Sequence, residues 1–365
     1  MKLYKIRIFY DNYIFTKQSN GGIKTYFQNL IKYNKKFIPY FEQYNRRHNL
    51  FYKNIIGVFI SQNFYFLRPF FYSLFNKNLN SKIIYHGTYY LNPFLSLINC
   101  KKVITIHDLI PEIYFENIGG LNKINLKIIK AARKFSINNS DHIITPSETT
   151  KKDLISYYPQ VKNKDVSVIK HGIDHFSDQN LIEKIIAEFE DIDFILYVGS
   201  RAYYKGFYDL INAYALVFKK EKNLRLICAG SDFTKEEIEY FLEKKISLKN
   251  IISFRPNNRE LKFLYKKSKA FIYPSRYEGF GFPPLEALVS GAKNIICSSI
   301  PTTKEICSEF VKYYKVGSSE KLAELILESF TNKKRLCNAE EHILEKYSWE
   351  NSAKKHLEVY TKLLS

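Results

Sequence analysis

The stretch "YPSRYEGFGFPPLEALVSG", beginning at Tyr273, gathers residue types that can do chemistry. Glu278 and Glu286 stand eight positions apart, with Gly279, Gly281 and the Pro283-Pro284 pair between them. "AFIYPS" before them reads as a strand, and "PPLEALVSG" reads as a helix with proline at its start and Gly291 as its stop. The glycines therefore fall in a strand-to-helix turn, where backbone N–H groups can approach a ligand. The helix N-terminus directs partial positive charge into the same space, which suits a phosphate or a hydroxyl-rich group. Glu278 is expected in the loop and Glu286 in the first helical turn. A glycosidase acid/base pair, with carboxylates about 5–10 Å apart across one bond, is within reach of this spacing. The phosphate-like surroundings argue instead for two separate ligand contacts. A lone Glu286 would simply favour a helix N-terminus.

Such a turn needs a sheet to stand on. Runs at 4–10, 82–87, 101–108, 141–147 and 165–172 are rich in Val, Ile and aromatics and read as strands, with helical patterns between them. After "HGIDHFSDQN" the alternation restarts, with strands expected at 194–200, 224–230, 251–256, 270–275 and 293–299. Helices are expected around 206–220, 234–246, 258–268, 284–291 and 319–329. Two such series predict an α/β protein of two doubly wound parallel-sheet domains facing a cleft. The expected boundaries are 1–176, 177–345 and a closing segment at 346–365 that packs back towards the first domain.

The chain has 365 residues and a formal net charge of +20. Residues 1–176 hold 26 Lys+Arg and 10 Asp+Glu, a net of +16, which leaves +4 for the remainder. That field attracts anionic partners: nucleic acid, phosphorylated ligands or an anionic membrane surface. No nucleic-acid recognition module is readable, so nucleic acid is not expected as a partner. Five scattered cysteines with no Cys-x-x-Cys pair point to a reducing compartment. The N-terminus has no signal-peptide pattern. The aromatic run Asn54–Phe75 is interrupted by Gln62, Asn63, Arg68 and Pro69, so it is not a spanning segment. It fits equally a surface lying on a membrane or a buried aromatic helix. In "LNKINLKIIKAARKFSINN", Leu126, Ile129 and Phe135 fall on one face, with Lys123, Lys127, Lys130 and Arg133 on others.

The string "PSRYEGFGFPPLEAL" resembles the E-x7-E signature of retaining glycosyltransferases of family 4, which have the GT-B fold. "YVGSRAYYKGFYDLINAY" resembles that family's Arg/Lys-Gly segment, and "YDNYIFTKQSNGGIKTYFQNL" its glycine loop. "IYHGTYY", "VITIHDLIPE", "HIITPSETTKKDL", "VIKHGID" and "YSWENSAKKHLEVY" resemble further segments in order, covering nearly the whole chain. The first-domain segments look most like the bacterial mannosyltransferase branch that builds O-antigen and exopolysaccharide repeats.

The resemblance implies roles. Arg201 and Lys205 would hold the diphosphate of a nucleotide sugar, as two cations after a strand can. Glu286 would bind the ribose, while Glu278 and the backbone from Gly279 through Phe280 to Gly281 would contact the sugar and phosphate. Gly21 and Gly22 would approach the diphosphate from the first domain, and His107 would meet donor sugar and acceptor hydroxyl. His86 and His171 read as structural. The implied activity is transfer of a hexose, best mannose from GDP-mannose, to a lipid-linked oligosaccharide with retention. A UDP-hexose or UDP-N-acetylhexosamine donor is the alternative within the class, and a catalytically silent glycan- or nucleic-acid-binding protein the alternative outside it. No metal or other cofactor is expected. The expected location is the cytoplasm, peripheral on the inner face of the membrane. Two departures from the family stand out: Thr25 follows "GGIK" where the branch has Arg, and "SIPTTKEIC" delays the usual Pro-Glu to Glu305.

Overall fold

The computed structural model describes residues 7–11, 13–18, 21–37, 83–93, 96, 99–115, 123–173, 189–331 and 339–365. The run Asn54–Phe75 lies outside the described residues. In chain order the first elements are β1 (Arg7–Tyr10), α1 (Tyr13–Lys17), α2 (Gly22–Phe37), β2 (Ile83–Gly87) and β3 (Lys101–Thr105). They continue as α3 (Ile110–Ile113), α4 (Lys123–Asn139), β4 (His142–Thr145), α5 (Glu148–Tyr157) and β5 (Val166–Val168). The second series holds β6 (Phe194–Val198), α6 (Phe207–Lys220), β7 (Arg225–Ala229), α7 (Lys235–Glu243), β8 (Ile251–Phe254) and α8 (Asn258–Lys267). It ends with β9 (Ala270–Tyr273), α9 (Phe282–Val289), β10 (Ile295–Ser298), α10 (Pro301–Cys307), β11 (Lys312–Tyr314), α11 (Ser319–Thr331), α12 (Ala339–Lys346) and α13 (Trp349–Leu364).

Two compact units result. One comprises 1–112, 121–172 and 349–365, the other 113–120 and 173–348. The division falls at 172/173 and 348/349, where the sequence suggested 176 and 345. The backbone explains the second limit: Ile173 N–H donates to Tyr347 O at 2.7 Å, tying the end of the second unit to its beginning.

The first unit's sheet runs β1-β2-β3-β4-β5, all parallel, with Ile8 opposite Ile84 and His86 opposite Val103. The second unit's sheet runs β11-β10-β9-β6-β7-β8, also parallel. Its strands are nearly continuous apolar runs because both faces are covered, and alternate residues supply opposite cores. Leu196, Ile227, Phe271 and Cys297 pack on one side, and Ile195, Leu226, Ile272 and Ile296 on the other. Each fully buried Leu or Ile contributes about 1.5–3 kcal/mol. Asn257 with Glu260, and Thr234 with Glu237, close capping boxes that start α8 and α7. The three-residue β11 and the short α10 and α12 did not stand out in the sequence, being too brief for a periodic signal.

α13 packs on α2 within the first unit. It enters a buried chain of hydrogen bonds. His86 Nδ1 meets Tyr360 OH at 2.7 Å, His86 Nε2 meets Thr105 Oγ1 at 2.9 Å, and Tyr26 OH meets His356 Nε2 at 2.6 Å. His86 is thus fully engaged in holding the last helix to the sheet. Among the described residues no helix is long and apolar enough to cross a membrane.

Candidate active site

The turn after β6 and the turn after β9 meet at the C-terminal edge of the second sheet. Gly206 sits at φ +65°, and a Cβ there would lie 2.0 Å from Pro274 O. Only glycine lets the two turns touch this closely. The contact brings Lys205 onto Glu278, Nζ to Oε1 at 2.7 Å, with both side chains largely buried. Ser275 Oγ donates to the same oxygen at 2.7 Å, and Thr302 Oγ1 donates to Glu278 O at 2.6 Å. Ser298 Oγ in turn donates to Ser275 O. The loop is therefore pinned by groups from β10 and α10. Sequence reasoning missed Ser275, Ser298 and Thr302. Thr302 lies in the divergent "SIPTTKEIC" segment, which was the available signal.

Gly281, at φ +94°, caps α9 and lies close under the Tyr273 ring. Phe280 buries its side chain against Phe282 and Tyr347, so this position offers a ligand its backbone rather than its ring. Gly279 is the buried residue between it and Glu278. Glu286 is corrected in one respect. α9 begins at Phe282, ahead of both prolines, so Glu286 is the fifth helical residue and not in the first turn. A helix-dipole preference therefore does not account for it. Its half-buried carboxylate accepts from Tyr265 OH at 3.1 Å. Desolvation raises its pKa to about 7, against the opposing effect of that hydrogen bond.

Arg201 and Lys205 do not act on one point here. Arg201 Nε lies 2.6 Å from Glu237 Oε1, Nη1 donates to Ser231 O at 2.9 Å, and Nη2 donates to Asp232 O at 2.6 Å. Its guanidinium also stacks over Phe233, 4.9 Å from the ring centre. The fork ties the turn after β6 to the loop after β7 and to the first turn of α7. A diphosphate would have to displace Glu237 or share the cation with it. Arg276, which the sequence reading passed over, clamps both oxygens of Asp209 at 2.7 Å.

The remaining candidates lie in the first unit. His107 follows β3 and lines a small recess together with Tyr89, Tyr90, Asp108 and Arg133. Burial, reinforced by the Arg133 charge, lowers its pKa to about 3, so the imidazole is neutral. Arg133 is not on an exposed face of α4 as the sequence suggested. It is buried, with Nη1 2.8 Å from Glu112 Oε2 and 2.9 Å from Asp108 O. Tyr158 OH takes the other Glu112 oxygen at 2.8 Å. The partner 21 residues away makes burial of the cation tolerable. Gly22 opens α2, and Gly21 lies under Gln18, whose Oε1 would be 2.5 Å from a Cβ. His171 packs its ring against Tyr26 and Trp349.

Comparison with known proteins places this architecture. Residues 178–346 match the family model "Glycosyl transferases group 1", and residues 39–175 match "Glycosyltransferase Family 4". An uncharacterized glycosyltransferase of Methanocaldococcus jannaschii is 31% identical over 66% of this chain and 65% of its own length. An O-antigen chain mannosyltransferase of Salmonella typhimurium is 29% identical over 58% of this chain and 56% of its own. The chain thus spans less than two thirds of the length of either relative. The structure of sucrose-phosphate synthase from Thermosynechococcus elongatus superposes with a TM-score of 0.68 at 16% identity, covering 99% of both chains. The two matched models follow one another along the two parallel-sheet units, and the chain belongs to the group 1/family 4 glycosyltransferases of GT-B architecture.

Proposed function

We propose that the protein is a retaining hexosyltransferase that moves mannose from GDP-mannose to a lipid-linked oligosaccharide during surface polysaccharide synthesis. One observation carries this reading: the Lys205–Glu278 pair, held at 2.7 Å where two parallel strands end, beside the glycine turn and N-terminus of α9. An incoming diphosphate competes with Glu278 for the Lys205 ammonium and gains the backbone N–H groups around Gly281. Glu278 then turns to a hydroxyl of the transferred sugar, and Glu286 takes the ribose. As the bond from sugar C1 to phosphate oxygen breaks, Lys205 stabilises the growing charge. The acceptor oxygen joins C1 on the same face, and its proton passes to the departing phosphate. The described residues include no group of three or more His, Cys, Asp or Glu able to hold a metal ion. The proposed step uses none.

The acceptor's lipid would place the enzyme on the inner face of the cytoplasmic membrane. α4 supports that placement: Ile124 and Ile128 are 66% and 60% exposed beside the exposed Lys127 and Lys130. Such a face suits an anionic lipid surface.

The test is a panel of nucleotide sugars in thermal unfolding, followed by transfer to a lipid-linked acceptor. GDP-mannose at 100 times its dissociation constant should add about 2.7 kcal/mol to stability. Protection by UDP-hexoses alone would move the donor to the alternative. Protection by none of them would overturn the reading.

A further inference from the structure

Tyr273 ends β9, and its hydroxyl is buried without a partner of hydrogen-bonding geometry. Buried polar groups are nearly always satisfied, so a spare hydroxyl needs a reason. The groups beside it supply one. The Glu278 carboxylate and the Ser275 hydroxyl adjoin the Tyr273 hydroxyl. Lys205 Nζ lies 5.9 Å from the ring centre, and a Cβ on Gly281 would stand 3.4 Å from the phenol oxygen. Burial, reinforced by the adjoining carboxylate, pushes the Tyr273 pKa well up, so the oxygen keeps a proton to donate. A spare donor therefore stands next to a carboxylate that Lys205 Nζ and Ser275 Oγ already hold, both at 2.7 Å from Oε1.

The spare donor matters once the cation is taken. On the transferase reading, an incoming diphosphate draws Lys205 away from Glu278. A largely buried carboxylate that loses its cation is strongly disfavoured unless other donors hold it. Ser275 by itself leaves a single hydroxyl on the carboxylate. We propose that Tyr273 is a positioning residue for Glu278: its hydroxyl takes hold of the carboxylate as Lys205 goes to the diphosphate, and Glu278 stays ionised and aimed at the transferred sugar. The proposal rests on the transferase reading for the event that releases the carboxylate. While Lys205 is paired with Glu278 the Tyr273 hydroxyl contributes nothing, so its bond strengthens the complex with ligand alone.

Tyr273→Phe removes only the spare hydroxyl, whereas Ser275→Ala removes a bond that is already made. Tm should hold or rise in the first variant and fall in the second. Calorimetric titration of the full chain with GDP and with UDP then reads the liganded protein. For whichever nucleotide binds the wild type, Tyr273→Phe should weaken affinity by about ten-fold or more, the loss of one hydrogen bond to a charged group. The same titration at pH 7, repeated in buffers of different ionisation enthalpy, counts protons. Tyr273→Phe should take up more of them on binding than the wild type, because a buried carboxylate short of donors is driven to its neutral form. A Tm loss matching that of Ser275→Ala would overturn the proposal. So would weaker binding with unchanged proton uptake, which would place the hydroxyl on the nucleotide instead of on Glu278. A wild type that binds neither nucleotide defeats the transferase reading and this proposal with it. A wild type that binds one of them, with Tyr273→Phe binding it equally well, defeats the proposal and leaves the reading standing.

Discussion

Lys205 Nζ and Glu278 Oε1 lie 2.7 Å apart although 73 residues separate them in the chain. The pair makes Lys205 the cation available to a diphosphate at this sheet edge. Lys205→Ala should lower kcat/KM by about 10²–10³, the range seen when one charge-stabilising donor is removed. Glu278→Gln should lower kcat more than it changes nucleotide affinity, since its partner sugar is the reacting group. Steady-state kinetics with calorimetric nucleotide titration check both, and unchanged turnover in Lys205→Ala would remove it from the site.

Arg201 yields a different expectation. With Glu237 at 2.6 Å, Arg201→Ala strands a buried carboxylate and should destabilise the second unit by about 3–5 kcal/mol. Adding Glu237→Ala should recover part of that loss. Denaturant unfolding of the single and double variants measures it. A normal midpoint with lost nucleotide binding would show instead that Arg201 serves the ligand.

Desolvation raises the pKa of Glu286 to about 7. Its raised pKa means that ionising the carboxyl costs folding stability, a cost absent below the ordinary carboxylate range and complete above about 7. A ribose diol is held better by the carboxylate than by the acid. Nucleotide affinity should therefore rise from pH 6 to pH 8 in the wild type and stay flat in Glu286→Gln. Isothermal titration at several pH values decides this, and parallel profiles would refute the ribose contact.

The buried histidines set an acid limit. Desolvation lowers the pKa of His356 to about 4 and that of His107 to about 3, and holds His86 and His171 well below the usual value. The unfolded chain binds their protons from about pH 6.5 downward while the folded chain does not. The stabilisation is thus complete above about 6.5 and lost as pH falls towards the folded values, at up to about 1.4 kcal/mol per pH unit for each proton. Tm should be level from pH 8 to 7 and drop from 6 to 4. A profile flat down to pH 4.5 would contradict the burial of this cluster.

Liposome co-sedimentation tests α4. Binding should require anionic lipid, weaken with salt and fall in a Lys127→Gln/Lys130→Gln variant. Each cation near the surface contributes about 1 kcal/mol. Arg133 is left intact because it is buried against Glu112. Equal recovery on neutral vesicles would defeat the electrostatic attraction.

The sequence by itself determined what depends on neighbours in the chain. Apolar runs such as "FILYV" and "AFIY" marked β6 and β9, because a strand covered on both faces must be apolar throughout. Gly279 and Gly281 marked the turn before α9, where Gly281 takes positive φ, and Glu278 was legible as a residue of that loop. What tertiary structure decided was which charges meet. Arg201 and Lys205 are four positions apart, yet one goes to Glu237 and the other to Glu278. Arg133 sits in a lysine-rich helix and reads as one more surface cation until Glu112 is brought to it. The recess at His107 is likewise assembled from residues 89–90, 105–108 and 133, with Ile23 from α2. Backbone preference and burial period act over a few residues, whereas charge pairing acts through space. A desolvated charge takes whichever partner the packed strands and helices place beside it.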